Sequence, residues 1–299
     1  MQLSRRNLML AGSSAIAASA ISQTEASAQE SEYPGVTKGR IRQSVMGWCF
    51  TQNEPKYPAV QLAKHCKAMG LEAMEGIPAD AYPEVTKLGL KISLVGSHPF
   101  AKGPVDPENH AMNEAKLRES IDLAVKYSSP SVITFTGMQK SGVSDAQARQ
   151  NCIDLWKKVL PYAEEKGITL VLEHLNSRDD SHPMKGHPGY WGDDVDLCVD
   201  LVKEVDSENF KLLFDVYHVQ VMNGDVIRRI QQYHPYIGHY HTAGNPGRAE
   251  LDETQEINYP AVMHAILETG YKKFVAQEFI PTWKDPISAL RHAATVCDV

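Results

Sequence analysis

The chain has 299 residues, of which 42% are apolar and 22% are charged, a composition typical of globular proteins that excludes disordered, collagen-like and coiled-coil chains. Its formal net charge is −7, and the sequence contains no cluster of lysine and arginine, so a nucleic-acid-binding function is not expected. The length fits either two average domains or one α/β barrel of about 250 residues.

The first 28 residues have the parts of a cleavable export signal. Paired arginines, Arg5 and Arg6, precede a short apolar stretch, and residues 26–28 form a small-residue cleavage site. Twin arginines are typical of the route that exports folded proteins, and the apolar stretch is too short to span a membrane. The sequence therefore predicts a signal over residues 1–28, a periplasmic or otherwise exported mature protein, and a short extension over residues 29–41.

Five cysteines are scattered along the chain, at Cys49, Cys66, Cys152, Cys198 and Cys297. None of them has the CxxC or Cys/His spacing of a zinc site, so a zinc-ribbon fold is excluded. We expect most of them to be small buried residues, and whether any two form a disulfide is left open.

From residue 42 onward, β-rich stretches alternate with amphipathic helical stretches. The predicted strands cover residues 43–49, 71–76, 90–97, 131–137, 168–174, 211–217, 237–243 and 272–279. The predicted helices include residues 112–127, 145–166, 194–205, 225–233, 259–270 and 286–297. Because each return to a parallel strand needs a crossover, the alternation predicts one α/β domain, a (β/α)8 TIM barrel with a parallel eight-stranded barrel and outer helices, over residues 42–299. A doubly wound open sheet is the alternative, but no strand is followed by GxGxxG.

Coordinating side chains end the last four predicted strands, at the rim where such barrels carry their function. Glu173 ends the fifth strand, Asp215 the sixth, His241 the seventh and Glu278 the eighth. Side chains alternate across a strand, so each of the three acids shares a face with an apolar residue two positions earlier. If those apolar residues point into the barrel, the four polar side chains converge.

Two glutamates, one aspartate and one histidine form an oxygen-rich ligand set that suits Mg²⁺ or Mn²⁺, and also Co²⁺. Without a cation, three buried carboxylates would repel one another and at least one would stay protonated. Each residue alone is better explained as a satisfied polar group at a strand end. Four of them on consecutive strands favour a metal site.

Five further residues are candidates for contact with a substrate. His218 lies beyond the sixth strand, where it could orient a substrate hydroxyl or support the metal ligands. Arg248 could hold a carboxylate through two parallel hydrogen bonds. His98 ends the third predicted strand, Glu75 ends the second, and Trp48 lies near the end of the first, so each could line the pocket. The alternatives are an ordinary loop histidine for His218, a surface arginine for Arg248, and packing in the core or at the rim for the other three.

The loop over residues 181–190 carries His182, Lys185 and His187. We interpret it as a flexible lid over the pocket. Lys185 could reach a substrate, but nothing in the sequence decides whether it does.

The strand-end segments resemble the xylose-isomerase-like TIM-barrel superfamily, and within it the hydroxypyruvate isomerases. The matching segments are Leu172-Glu173, Phe214-Asp215-Val216-Tyr217-His218, HTAGNPGR at residues 241–248, EINYP at residues 256–260, and Gln277-Glu278-Phe279. The resemblance covers the chain from about residue 40 to its end. The loop followed by EINYP is fairly specific to the hydroxypyruvate isomerase branch, whereas the strand-end residues are specific only to the superfamily.

The resemblance implies a divalent metal held by Glu173, Asp215, His241 and Glu278, with acid/base catalysis by Glu173 and Glu278. It implies a 1,2-shift between an α-hydroxy ketone and an α-hydroxy aldehyde through an enediolate, with hydroxypyruvate and tartronate semialdehyde as the leading pair and Arg248 on the carboxylate. One position departs from the pattern. Hydroxypyruvate isomerases often have glutamine where this chain has His241, whereas ketose epimerases of the superfamily have histidine.

Three other functions remain open. A ketose 3-epimerase would use the same metal and glutamates but return the proton to the same carbon, and a dehydratase acting on a keto-sugar or keto-inositol would expel hydroxide. An exported sugar-binding barrel would more often present aromatic platforms than four ligands aimed at one point. In each case the expected partner is a small hydroxy-keto acid or sugar. A homo-oligomer is also expected, as in many such barrels, although no segment identifies its interface.

Overall fold

The computed structural model describes residues 32–52 and 54–299. The predicted export signal over residues 1–28 lies outside the described residues, as do residues 29–31 and 53. Within the described part, no helix is both long and apolar enough to cross a membrane.

Eight parallel strands form the centre of the molecule. They are β1 (Arg42–Val45), β2 (Ala73–Met74), β3 (Lys91–Ile92), β4 (Ser131–Phe135), β5 (Thr169–Glu173), β6 (Phe210–Asp215), β7 (Ile237–Thr242) and β8 (Phe274–Gln277). Six of them pair in the order β1-β8-β7-β6-β5-β4, and β2 pairs with β3. Single parallel bridges, Met46 to Glu75 and Val95 to Val132, join that pair to β1 and β4. The ring is therefore closed, which confirms the predicted (β/α)8 barrel.

Ten α-helices lie in the described part of the chain. They are α1 (Trp48–Thr51), α2 (Ala59–Ala68), α3 (Tyr82–Lys87), α4 (His110–Lys126), α5 (Asp145–Lys166), α6 (Val195–Val205), α7 (Val216–Met222), α8 (Val226–Tyr233), α9 (Tyr259–Glu268) and α10 (Pro286–Val296). Side-chain caps begin several of them, as at Asp194, whose carboxylate accepts hydrogen bonds from the amides of Asp196 and Leu197. Gly167 ends α5 at φ 67°, a left-handed conformation that glycine adopts without strain.

The interior of the barrel decides which way the strand-end side chains point. Leu94, Ile133, Val171 and Leu213 form a separate buried cluster, apart from the large core between the strands and the helices. Val171 and Leu213 are the residues two positions before Glu173 and Asp215. Because side chains alternate along a strand, both acids also point inward, at the carboxyl end of the barrel.

Most predicted strands extend beyond the observed ones, and backbone geometry explains two of these differences. The first predicted strand, residues 43–49, stops at Val45, because the chain turns into α1 at Gly47, which has φ −65° and ψ −31°. A Cβ atom at Gly47 would lie 2.2 Å from Ile77 Cγ2, so this close approach favours glycine. The sixth predicted strand ends at Asp215 rather than residue 217, because the Asp215 carboxylate caps α7.

The amino-terminal extension forms hydrogen bonds with Asp298 at the base of the barrel. Asp298 Oδ2 accepts hydrogen bonds from the amides of Thr37 (2.6 Å) and Lys38 (2.7 Å) and from Thr37 Oγ1 (2.9 Å). Asp298 Oδ1 accepts a fourth, from the amide of Gly39 at 2.9 Å. We call this group of contacts the terminal clasp. It lies at the amino-terminal face of the barrel, opposite the strand ends that carry function.

Candidate active site and metal centre

The four strand-end residues predicted as metal ligands converge at the carboxyl end of the barrel. One ligand atom from each of Glu173, Asp215, His241 and Glu278 lies within 4.8 Å of the others, and all four side chains are buried. His241 Nδ1 is 2.6 Å from Glu278 Oε2 and 3.2 Å from Glu173 Oε1. The convergence follows from adjacent strands β5 to β8 ending at the same height.

Arg248 brings a second positive group to this cluster. Its guanidinium lies 2.7 Å from Glu278 Oε2 and 3.4 Å from Asp215 Oδ2. The guanidinium carbon lies 5.7 Å from the ring centres of both Trp48 and Tyr217. Arg248 also donates a hydrogen bond to the carbonyl of Met184 in the loop predicted as a lid. Its Nε is buried and has no partner among the described residues, so one donor remains for another group.

The pKa values of two of the three acids are raised, chiefly because the cluster is buried. Burial, followed by the charge of Glu278, raises the pKa of Glu173 to about 7. Burial also raises the pKa of Asp215 to about 6, against the opposite effect of Arg248. For Glu278, burial is outweighed by the charges of Arg248 and His241, which lower its pKa to about 2. Two of the three carboxyls therefore hold protons more tightly than ordinary acids, as expected where carboxylates share a buried site.

This set fits a divalent cation by its donor chemistry. Three carboxylates and one imidazole suit Mg²⁺, Mn²⁺ or Co²⁺ better than a thiolate-preferring metal. Glu278 Oε2 is buried and accepts no well-aligned hydrogen bond from the described residues, although it lies beside two positive groups. An added cation would stabilise the charged forms of these buried carboxylates. The cluster could therefore hold a metal, as predicted.

A cavity of about 550 Å³ opens directly onto the cluster. Glu173, Glu278 and Arg248 line it as charged residues, and the apolar part of its wall includes Trp48 and Phe135. A few charged groups in a mostly apolar cavity wall are typical of a small-molecule site.

Three of the five predicted substrate contacts line this cavity. Trp48 lies in α1 rather than at a strand end, and its Nε1 donates a hydrogen bond to Glu278 Oε1 at 3.2 Å. Arg248 lines the cavity as predicted. His98 also lines it, and burial lowers its pKa to about 4, so its ring is neutral at pH 7 while its Nε2 contacts Thr134 Oγ1 at 3.0 Å.

The other two, His218 and Glu75, are not among the residues that line the cavity. His218 Nε2 lies 3.6 Å from Asp215 Oδ2, and its Nδ1 accepts a hydrogen bond from the amide of Asn176 at 3.1 Å. It can therefore support a metal ligand rather than touch a substrate from the wall. Glu75 is fully buried inside the barrel and contacts His241 instead.

Two aromatic residues of the cavity wall, Phe100 and Phe135, were missed. Phe135 pairs in register with Glu173 on the neighbouring strand, so the alternation that predicted Glu173 also places Phe135 at the same height. From the predicted lid, His187 lines the cavity, with its ring centre 4.2 Å from that of Phe100. Lys185 is not among the lining residues. Its carbonyl accepts a hydrogen bond from Asn176 Nδ2.

Comparison with known proteins agrees with this fold. A family described as "Xylose isomerase-like TIM barrel" matches residues 60–295. The 2-oxo-tetronate isomerase of Cupriavidus necator is 29% identical over 172 residues, 56% of this chain and 63% of that protein. The hydroxypyruvate isomerase of Escherichia coli is 25% identical over 185 residues, 58% of this chain and 69% of that protein.

Among solved structures, a protein described as AP endonuclease, family 2 from Brucella melitensis superposes with a TM-score of 0.71. It is 23% identical, and the match covers 84% of this chain and 96% of that one. At this identity the likeness establishes the fold alone. The family match spans most of the chain, and the relatives above are isomerases, as predicted from the strand-end segments. The chain therefore belongs to the xylose isomerase-like TIM barrel family, as an enzyme of the isomerase kind.

Proposed function

We propose that the protein is a metal-dependent isomerase that interconverts an α-hydroxy ketone and an α-hydroxy aldehyde through an enediolate. The observation that carries this proposal is the pair of glutamates, Glu173 and Glu278, that line the cavity and also belong to the four-residue ligand cluster. Hydroxypyruvate and tartronate semialdehyde are the leading substrate pair. The curated relatives named hydroxypyruvate isomerase and 2-oxo-tetronate isomerase support it.

Glu173, Asp215, His241 and Glu278 would hold the divalent cation. When bound, such an ion supplies positive charge that polarises a carbonyl and stabilises the negative oxygens of an enediolate. His218 and Arg248 flank Asp215, at 3.6 Å and 3.4 Å from its Oδ2. They limit the positions that this carboxylate can adopt.

Glu173 and Glu278 are the groups that would move the proton. They end strands β5 and β8, which are separated by β6 and β7, so their carboxylates reach the cavity from different sides. One would take the proton from carbon and the other would return it to the adjacent carbon. The hydrogen bond from Trp48 Nε1 to Glu278 Oε1 directs Oε2 towards the centre of the cluster.

Arg248 and the aromatic wall would select and shield the substrate. The Nε of Arg248 has no partner among the described residues and could donate a hydrogen bond to a substrate carboxylate, while its terminal nitrogens contact Met184, Asp215 and Glu278. Trp48, Phe100 and Phe135 cover the cavity with apolar surface. Such a surface excludes water, which would otherwise weaken the electrostatic interactions at the reacting carbons.

The direct test is proton NMR of the metal-loaded protein with hydroxypyruvate in D₂O, with and without a chelator. We expect tartronate semialdehyde to form with deuterium at the carbon that receives the proton, and the reaction to stop when the chelator is added. A protein that binds metal but neither converts hydroxypyruvate nor exchanges its carbon-bound protons with solvent would refute this substrate assignment.

A ketose 3-epimerase is the second candidate, and the size of the cavity favours it. Hydroxypyruvate has only three carbons, whereas a cavity of about 550 Å³ lies within the range of about 300–1,000 Å³ occupied by considerably larger ligands. His241, rather than glutamine, also fits that branch of the superfamily. The same NMR experiment with ketohexoses distinguishes the two, because an epimerase would incorporate deuterium at carbon 3.

We also propose that the protein is exported by the twin-arginine route, on the basis of Arg5, Arg6 and residues 26–28. Substitution of both arginines by lysine should retain the precursor in the cytoplasm, as detected by fractionation and immunoblotting. Unchanged export of that double variant would argue against the proposal.

A further inference from the structure

A buried polar network lies inside the barrel next to the ligand cluster. Glu75 is fully buried, and its Oε1 is 2.7 Å from Nε2 of His241. Its Oε2 is 3.0 Å from Nε2 of His239 and accepts a hydrogen bond from Ser93 Oγ at 2.5 Å. Ser93 Oγ is in turn 2.6 Å from Ser44 Oγ. Strands β1 and β7 and the segments just after β2 and β3 each contribute to this group, so the network connects opposite sides of the barrel.

The network determines which nitrogen of His241 faces the other ligands. A carboxylate only accepts hydrogen bonds, so the contact with Glu75 requires a proton on His241 Nε2. A neutral imidazole with its proton on Nε2 has its lone pair on Nδ1. Nδ1 is the atom that faces Glu173 and Glu278. The hydrogen bond to Glu75 therefore fixes both the tautomer and the ring orientation that a metal ligand needs.

We propose that Glu75 is a positioning residue for the metal site, which it serves by orienting His241, and that His239 and Ser93 hold Glu75 in place. This inference rests on the metal dependence in the proposed function. It assigns to Glu75 a role distinct from contact with the substrate, in agreement with its absence from the cavity wall.

Glu75, His239 and His241 could instead hold a second metal ion, because their ligand atoms also lie within 4.8 Å of one another. The hydrogen bonds favour the positioning role. Oε1 already contacts one imidazole N–H, and Oε2 accepts from a hydroxyl and contacts a second imidazole. Each oxygen thus has a donor at hydrogen-bond distance. The positioning role predicts one divalent ion per chain, whereas the alternative predicts two.

The test compares Mn²⁺ binding by isothermal titration calorimetry in the wild-type chain and in Glu75→Gln. Loss of the outer partner of a histidine ligand lowers metal affinity by about 10–100-fold, and we expect a loss of that size at a stoichiometry of one. Asp298→Asn is the matched control. It makes the same change from carboxylate to amide in the terminal clasp, so it should lower thermal stability without changing the Mn²⁺ affinity.

Two further measurements keep the test independent of folding defects. Glu75→Asp keeps the buried charge but shortens the side chain, so it should lose the contact with His241 and show a similar loss of affinity. The visible absorption of bound Co²⁺, which reports on the ligands, should change in both Glu75 variants but not in Asp298→Asn.

An affinity within twofold of the wild type in a folded Glu75 variant would overturn the proposal. A wild-type stoichiometry of two ions that falls to one in Glu75→Gln would also overturn it, in favour of a second metal site. A wild-type chain that binds no divalent ion would refute the proposed metal dependence itself, and the inference with it.

Discussion

Replacing Glu278 by glutamine tests the proposed chemistry at one atom. The side chain keeps its shape, and its carbonyl can still accept the hydrogen bond from Trp48 Nε1. The amide then lies where Oε2 is now, 2.6 Å from His241 Nδ1 and 2.7 Å from the Arg248 guanidinium. A group that could accept a proton is thereby replaced by one that cannot.

The expected loss follows from the role of the residue. A positioned acid or base contributes about 10²–10⁴-fold to the rate, which is about 3–5 kcal/mol at 1.36 kcal/mol per tenfold change. We therefore expect kcat to fall by that factor. Because Arg248, rather than Glu278, is proposed to hold the substrate carboxylate, KM should change much less.

Two measurements separate catalysis from metal loss. Conversion of hydroxypyruvate is followed by NMR in D₂O, and the metal content of the same sample is determined by atomic emission. Asp298→Asn serves again as the carboxylate-to-amide control away from the site. A Glu278→Gln protein that keeps both its metal and full activity would refute the assignment of Glu278 as an acid/base group.

Four further results are expected. Trp48→Phe removes the N–H donated to Glu278 but keeps the apolar wall. The value of kcat should therefore fall about tenfold, as expected for loss of a hydrogen bond to a charged group. Steady-state kinetics that show a change in KM alone would contradict this role. Arg248→Lys removes the planar fork, so KM for hydroxypyruvate should rise about tenfold or more, while a neutral ketohexose should be less affected. Dialysis against a chelator should lower Tm in calorimetry, and addition of Mn²⁺ should restore it; an identical Tm in both samples would argue against a bound metal. The pKa of Asp298 is held below its usual value because hydrogen bonds from backbone amides outweigh the effect of burial. The stabilisation that Asp298 provides is therefore complete above its unfolded pKa of about 3.9 and is lost as the pH falls through the folded value. Urea unfolding should show Asp298→Asn to be less stable than the wild type by about 2 kcal/mol at pH 7, with the difference shrinking below pH 4.

The alternation of strands and helices predicted the barrel because each β/α unit has its own local pattern. The ends of the strands were less predictable. The apolar run continues through Trp48 and Cys49, so nothing local shows that the chain turns at Gly47, where contact with Ile77 leaves no room for a side chain. The turn at Asp215 depends likewise on a cap that forms only once the helix exists.

The three acidic candidate ligands could be predicted because each lies two residues after an inward apolar side chain, on strands that end at the same height. Glu75 obeys the same alternation, but its depth depends on the register between β1 and β2, where it pairs with Met46. That register is a property of the closed barrel, so sequence alone placed Glu75 at the rim. The position of His218 behind Asp215 depends on Asn176, which is distant in sequence.

Because of the terminal clasp, the barrel could keep its architecture if the chain began and ended at a different place. Residues 37–39 and Asp298 are hydrogen-bonded neighbours, so a short peptide could join them without displacing either. New ends could then be opened in an exposed helix connection, giving a circularly permuted enzyme with the same eight strands. The face that carries the clasp is also the natural point of attachment to a solid support, because it leaves the mouth of the cavity facing the solution.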